Sequence, residues 1–336
     1  MASPARPPRT NRAPRAARLR RALLAALVTA AVALPLAGAA RPGEVPAPEP
    51  GATLPLTTTE PAALAAQLDA RYARQRTALR AAAHTAETHG AHDRAASLRA
   101  MAAPDRSFLT FDGRDGGRGA ETVGDLARAE RIAVLVPGAD TGLDHYGRFR
   151  AGALALQAEL RRAPDSRTAV LAWLGYRTPG TGSAASLTPG RADQAAPALR
   201  SFVDEIHRIR PQARITLLCH SYGSVVCARA AAGTAADAIV LYGSPGTGSD
   251  HVTELHTRAV VWAGRSGGDW IAEVPHVRVP LLPGTELGFG TDPMDPAFGA
   301  RRFATGDGGH SDYLAPGSVP LKNLAHIVAG QEPADA

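Results

Sequence analysis

Residues 214–227 read RITLLCHSYGSVVC, and the character of the chain turns on how this stretch folds. Ile215, Leu217, Leu218 and Cys219 make a near-continuous apolar run, which suits a strand covered on both faces. The run enters His220-Ser221-Tyr222-Gly223 and continues as small and β-branched residues through 222–233 (YGSVVCARAAAG), which predicts a helix. Strand, abrupt turn and helix together form the setting that lifts a serine hydroxyl above the edge of a sheet. The residues two before and two after the serine must be small, because strand and helix approach closely there. Gly223 meets the second condition; Cys219 stands at the first, where glycine is usual, and is still a small side chain. A Ser-x-Gly after a strand is also what a plain turn looks like, and this chain has 34 glycines. Ser221 therefore gains weight as a nucleophile only if partners follow it.

Working outward, strand-like and helix-like segments alternate. SFLTFD (107–112), RIAVLVPG (131–138), TAVLAWLGY (168–176), AIVLYG (238–243) and AVVWAG (259–264) read as strands. RADQAAPALRSFVDEIHRI (191–209) has apolar residues at helical spacing, and VPLKNLAHIVAG (319–330) predicts a closing helix. Such alternation argues for a mostly parallel sheet with helices on both faces, and right-handed crossovers then put the strand C-termini along one edge where loops assemble a site. The whole domain is expected over residues 103–332.

Partners for Ser221 do follow. Hydrolases built on a strand–elbow–helix turn take an acid from a late strand end and a base from a later loop, in that chain order. AVVWAGRSGGDW (259–270) carries Asp269 just past a strand, and GDGGHSDYL (306–314) carries His310 in a glycine-rich loop before the last helix. The reading is an α/β-hydrolase fold in which His310 takes the Ser221 proton while Asp269 fixes the imidazole tautomer. Asp292, Asp295 and Asp307 are rivals for the acid, and loop aspartates commonly just cap turns. His251, His256 and His276 lack a comparable loop, and His220, adjacent to the serine, is expected to point away and shape the pocket. Two amides are needed for a developing oxyanion: that of Tyr222 and one from the turn Pro137-Gly138-Ala139-Asp140, for which Ala139 is the choice and Gly138 allows close approach. No zinc spacing or nucleotide-binding glycine motif is present, so neither a metal nor a cofactor is expected. The glycine-rich TPGTGSAASLTPG (178–190) lacks a lysine and reads as a mobile loop bordering the pocket.

VLVPGADTG after a strand, CHSYGS at the elbow, GGDW after a late strand and GHSDYL near the end together resemble the actinobacterial α/β-hydrolases catalogued as DUF1023. The resemblance runs from about Ser107 to Ala329. It implies a hydrolase with a helical stretch ahead of it and a triad of Ser221, Asp269 and His310, with Cys219 departing from the usual glycine. It does not imply a substrate.

The net charge of +6 has a local origin: residues 1–40 hold Arg6, Arg9, Arg12, Arg15, Arg18, Arg20 and Arg21 and no acid, leaving 30 basic against 31 acidic residues in the rest. A basic footprint for nucleic acid is thereby excluded as a reading. The same segment has an arginine-rich start, an apolar run from Ala22 to Leu36 and small residues at 37–40, the parts of an export signal. Fifteen apolar residues interrupted by Pro35 fall short of the roughly 20 needed to span a bilayer, so a membrane anchor is the lesser alternative. Arg20-Arg21 also resembles a twin-arginine signal. Residues 41–58 (RPGEVPAPEPGATLPLTT) read as a disordered linker, and 59–102 as one or two helices capped at Thr59-Glu60-Pro61. Cys219 and Cys227 are expected as unbridged buried hydrophobes, because a strand end and the following helix tend to point their Cβ vectors apart.

The expectation is an exported serine hydrolase for a small-molecule or lipid-like ester, with membrane or cell-wall association compatible with export. The alternatives are a catalytically silent binding domain of the same fold and a peptidase or amidase.

Overall fold

The computed structural model describes residues 45–51, 53–163, 166–282 and 285–334. The export signal expected over residues 1–40 lies outside them. Helix α1 (Pro61–Thr88) starts where expected: the Glu60 carboxylate accepts from the amides of Ala62 and Ala63, and Pro61 fills the first turn, where its missing N–H costs nothing. A short turn leads to α2 (His92–Met101). The segment before α1 differs from expectation. Leu56 is fully buried, its carbonyl accepts from Arg208, and Thr57 exchanges hydrogen bonds with the Gln67 amide. The stretch expected to be a free tether is thus fastened to the domain in its described part, because one leucine in it finds apolar surface to cover.

The chain then runs through β1 (Ser107–Asp112), β2 (Arg118–Gly124), β3 (Arg131–Val136), α3 (Tyr146–Leu160), β4 (Thr168–Leu174), α4 (Gly190–Ile209) and β5 (Arg214–His220). It continues as α5 (Gly223–Ala230), β6 (Ala238–Tyr242), β7 (Val260–Gly264), the antiparallel hairpin β8 (Val279–Leu282) and β9 (Thr285–Leu287), β10 (Arg301–Arg302) and α6 (Val319–Ala329). Eight strands form one sheet in the order β1-β2-β4-β3-β5-β6-β7-β10. β1 and β2 enter it antiparallel, and every pair from β4 onward is parallel.

Alternation along the parallel strands explains the three layers. Ile132, Val134, Leu217 and Ile239 face α4 and α5, where Leu199, Val203 and Ile206 meet them. Ala133, Leu135, Leu218 and Val240 face the opposite way, onto Leu156 of α3 and Leu321, Leu324 and Val328 of α6. Strands buried on both faces need apolar residues at every position, which is why they stand out in sequence. Pairing in register sets Val136 beside Cys219 and His220 beside Tyr242, so β3, β5 and β6 end together at one sheet edge.

Candidate active site

Ser221 lies just past the end of β5 with φ of 53°, in the left-handed region that a serine occupies at a cost of about 1–3 kcal/mol. Its amide donates to the Tyr242 carbonyl at 3.0 Å, and Ser224 closes the turn by donating to the Ser221 carbonyl at 2.9 Å. The turn is tight on every side. A Cβ on Gly223 would sit 2.5 Å from the Val136 carbonyl oxygen, and one on Gly138 would sit 2.6 Å from Ser221 Cβ, so both positions require glycine. Ser221 is 8% exposed, and among the described residues its Oγ has no hydrogen-bond partner.

At Cys219 the structure corrects the sequence reading: Cys219 and Cys227 form a disulfide, with Cα atoms 6.3 Å apart. The expectation of diverging Cβ vectors overlooked how sharply the elbow turns. Cys227 lies four residues after Gly223, on the same helix face, and that face is the one pressed against the sheet.

The candidate acid and base come together from two loops beyond β7 and β10. The first of them, 265–269, is tied to the second through Gly267 N donating to Gly306 O at 2.8 Å and Ser266 Oγ donating to Thr305 O at 3.1 Å. Asp269 Oδ1 then accepts from His310 Nδ1 at 2.8 Å, and the Asp269 side chain is fully buried. Asp269 Oδ1 also accepts from Ile271 N at 2.8 Å, capping a one-turn helix over Trp270–Glu273. The ordinary role of a loop aspartate and its contact with histidine are therefore held by the same carboxylate. Burial pushes the Asp269 carboxyl upward, but hydrogen bonds from His310, Tyr313 and Ile271 outweigh it and hold the group below its usual range. With Nδ1 donating to a carboxylate, Nε2 is the ring nitrogen of His310 left to accept a proton.

Two more side chains complete this arm, and sequence reasoning gave neither of them this place. Tyr313 donates to Asp269 Oδ2 at 2.6 Å and accepts from Ser266 N at 3.0 Å. The signal available was its spacing: three residues after His310 in a turn closed by Asp312 N donating to Gly309 O at 3.1 Å, it comes back beside the histidine. His220, expected only to shape the pocket, donates from Nε2 to the His310 carbonyl at 2.8 Å, and the two rings lie 4.7 Å apart. Burial lowers the His220 pKa to about 4, with the neighbouring His310 adding to the shift, so this imidazole is neutral near pH 7. Through His220 the base loop is joined to the residue next to Ser221. A Cβ on Gly243, the residue after Tyr242, would stand 3.3 Å from His310 Cε1 and 3.0 Å from Asp269 Oδ2, which locates the pair over the end of β6.

Three of the rival residues are engaged elsewhere. Asp292 pairs with Arg265 at 2.5 Å, Asp295 caps the turn at Ala297 N, and His251 meets the Ala297 carbonyl. On the opposite side, the amides of Tyr222 and Ala139 have no protein acceptor among the described residues, whereas Asp140 N donates to Pro179 O at 3.0 Å. The 178–190 loop, expected to be mobile, is pinned against the turn after β3 and against Tyr222. Thr178 donates to Thr141 O, Thr181 N to Asp140 Oδ1, and the Tyr222 hydroxyl donates to Thr188 O at 2.7 Å while accepting from Ala192 N. Burial raises the Tyr222 phenol to about 12, which keeps it a donor. Among the described residues no group of three or more His, Cys, Asp or Glu is arranged to hold a metal ion.

A parallel sheet with a left-handed serine at the end of its central strand, and a buried carboxylate–imidazole pair at the same edge, defines a hydrolase scaffold. A family model described as alpha/beta hydrolase matches residues 112–279. The chain belongs to the α/β-hydrolase family. Relatives include an uncharacterized protein of Mycobacterium tuberculosis, 31% identical over 252 residues that cover 66% of this chain and 38% of the relative. Another, from Mycobacterium bovis, is 32% identical over 187 residues, covering 50% of this chain and 70% of the relative. The chain thus spans well under half the length of the first of these. Among solved structures, the α/β serine hydrolase XC6422 of Xanthomonas campestris is 18% identical with a TM-score of 0.41, covering 68% of this chain and 94% of that one. Esterase PE8 is 14% identical with a TM-score of 0.43, covering 62% and 96%.

Proposed function

We propose that this chain is an exported serine hydrolase that cleaves carboxylic esters through Ser221, His310 and Asp269. Ser221 Oγ attacks the ester carbonyl as His310 Nε2 takes its proton, and Asp269 holds the tautomer and stabilises the imidazolium that results. The carbonyl oxygen, now negative, rests between the amides of Tyr222 and Ala139. His310 returns the proton to the departing alcohol, leaving an acyl group on Ser221, and water releases it by the reverse sequence with His310 again as base. The observation that carries this reading is the 2.8 Å bond between His310 Nδ1 and Asp269 Oδ1, which frees Nε2 at the sheet edge where Ser221 turns.

An apolar substrate group is supported by Trp270, which is 49% exposed with its ring 4.6 Å from that of His310. An aromatic face left open beside the base favours a small acyl or lipid-like ester over a polar substrate. Export is supported by the arginine-rich start and apolar run of residues 1–36, and by a disulfide, which persists in oxidising compartments. No helix among the described residues is long and apolar enough to cross a membrane. Membrane or cell-wall association is proposed as a consequence of export.

Labelling with a fluorophosphonate probe tests the reading. The wild-type chain acquires one adduct that Ser221→Ala abolishes, and a panel of p-nitrophenyl esters is hydrolysed in preference to anilides. A folded wild-type sample with no Ser221-dependent adduct would make this a silent binding domain, and anilide preference would make it an amidase.

A further inference from the structure

The disulfide lies in an unusual place for a staple. Cys219 is two residues before Ser221 and Cys227 six after it, so the bond closes a ring of chain around the residue that carries the chemistry. A bridge raises global stability by limiting the unfolded chain, and that effect grows with the length of the loop it closes. With a separation of eight residues, this one gains less in that way than a bridge across a long loop would.

Locally the situation is different. The turn at Ser221 is held by its amide's bond to the Tyr242 carbonyl and by hydrogen bonds within its own few residues, including Ser224 Oγ donating to the Cys219 carbonyl at 3.1 Å. None of them reaches the second turn of α5. That helix is eight residues long and reads GSVVCARA, with a glycine, a serine and two valines in its first turn. Such a helix has weak intrinsic propensity and is too short to hold itself. Its start presents the Tyr222 amide, and its angle to β5 decides where Ser221 Oγ points. Cys219 and Cys227 are both fully buried, so the bond ties the last position of the strand's core to the second turn of the helix.

We propose that the Cys219–Cys227 disulfide is a positioning device for the Ser221 turn, so that the hydrolase reaches full turnover only once the bridge has formed, in an oxidising compartment. This rests on the serine-hydrolase reading above. Formation removes two electrons and two protons from the Cys219 and Cys227 thiols and delivers them to a disulfide-bearing oxidant, which leaves as two thiols. Reduction by a dithiol runs the other way: one thiolate attacks a bridge sulfur, its second thiol closes the reagent's own ring, and two protein thiols remain. Because both cysteines are buried, a reductant reaches the bond only as the elbow opens. The device therefore acts as a requirement for activation on maturation.

The test uses the full chain in oxidised, dithiothreitol-reduced and reoxidised forms, with free thiols counted in each, beside Cys219→Ala/Cys227→Ala. The readouts are kcat and KM on a p-nitrophenyl ester, the fluorophosphonate labelling rate, and circular dichroism. Reduction to two free thiols is expected to lower kcat and the labelling rate about tenfold or more with KM and the spectrum little changed, and reoxidation to restore both, as misorientation of a reacting group does. Full rates with two free thiols would overturn the proposal. So would activity lost only in step with the folded spectrum, since the bridge would then be a general staple. If the double variant does not fold, the reduced wild-type sample decides. Absence of any adduct on the oxidised chain would instead sink the hydrolase reading itself.

Discussion

The two halves of the site are built by different means. The Ser221 side is a matter of backbone: a left-handed residue, two glycines against neighbouring chain, and a short helix, all where β3 and β5 end. The His310 side is made from loops, and what fixes it is a set of side-chain hydrogen bonds: Asp269 to His310, Tyr313 to Asp269, His220 to the His310 carbonyl. The first half tolerates changes of chemistry that respect shape and fails with any added atom. The second tolerates small changes of shape and fails when a donor or acceptor is removed.

The largest effect that tests this contrast is on the base. His310→Ala is expected to lower kcat by about five to six orders of magnitude with KM nearly constant, measured on an activated ester. Retained turnover would move the base elsewhere. Next comes Asp269→Asn, which keeps an oxygen for the Ile271 amide and loses the charge. Activity is expected to drop by roughly two to four orders of magnitude with little change in melting temperature. Asp269→Ala should lose about 1 kcal/mol of stability in addition, as a removed cap does.

On the backbone side, Gly223→Ala adds one methyl group against the Val136 carbonyl oxygen at 2.5 Å. It is expected to cost about 2 kcal/mol in urea unfolding and to reduce kcat about tenfold or more, because strand and helix must separate. An active, stable variant would show that the elbow is looser than its geometry. Tyr313→Phe, which removes one of three donors to Asp269, should reduce kcat by a smaller factor, about tenfold.

The last expected effect is on stability alone, a pH dependence. Burial holds the His220 pKa at about 4, below its ordinary 6.5, so between these values the unfolded chain binds a proton that the folded chain refuses. Stability is thus complete above pH 6.5 and declines as pH falls toward 4, by on the order of 2–3 kcal/mol from this group. Urea midpoints across that window should decline less steeply for His220→Gln.

What was legible in the sequence follows the same division. The parallel strands showed themselves because burial on both faces demands near-continuous apolar runs, and Ile215 through Cys219, interrupted only by Thr216, is one. β2 did not, since RGAETVG holds two glycines and Glu121, whose buried carboxylate is matched by Arg106 and Arg150. Pairs of that kind come from distant parts of the chain and leave no periodic mark. The two-residue β10 is too short to leave one either. At the site, Ser221, Asp269 and His310 could each be located by position relative to a strand. Tyr313 and the second duty of His220 depend on how two loops settle against each other, which spacing alone does not convey. The bridge between Cys219 and Cys227 depended on an angle between strand and helix that only the folded elbow reveals.

Tyr222 has a consequence for traffic through the site. Its amide is one of the two donors proposed for the oxyanion, while its hydroxyl fastens the 178–190 loop at Thr188 and the start of α4 at Ala192. A wall anchored in this way is no door. On the proposed mechanism, swinging it outward would drag the residue whose amide receives the negative charge, so an open loop and a competent site would exclude each other. Passage of substrate and product would then fall to the side of Trp270, where the chain leaves an aromatic ring half in water.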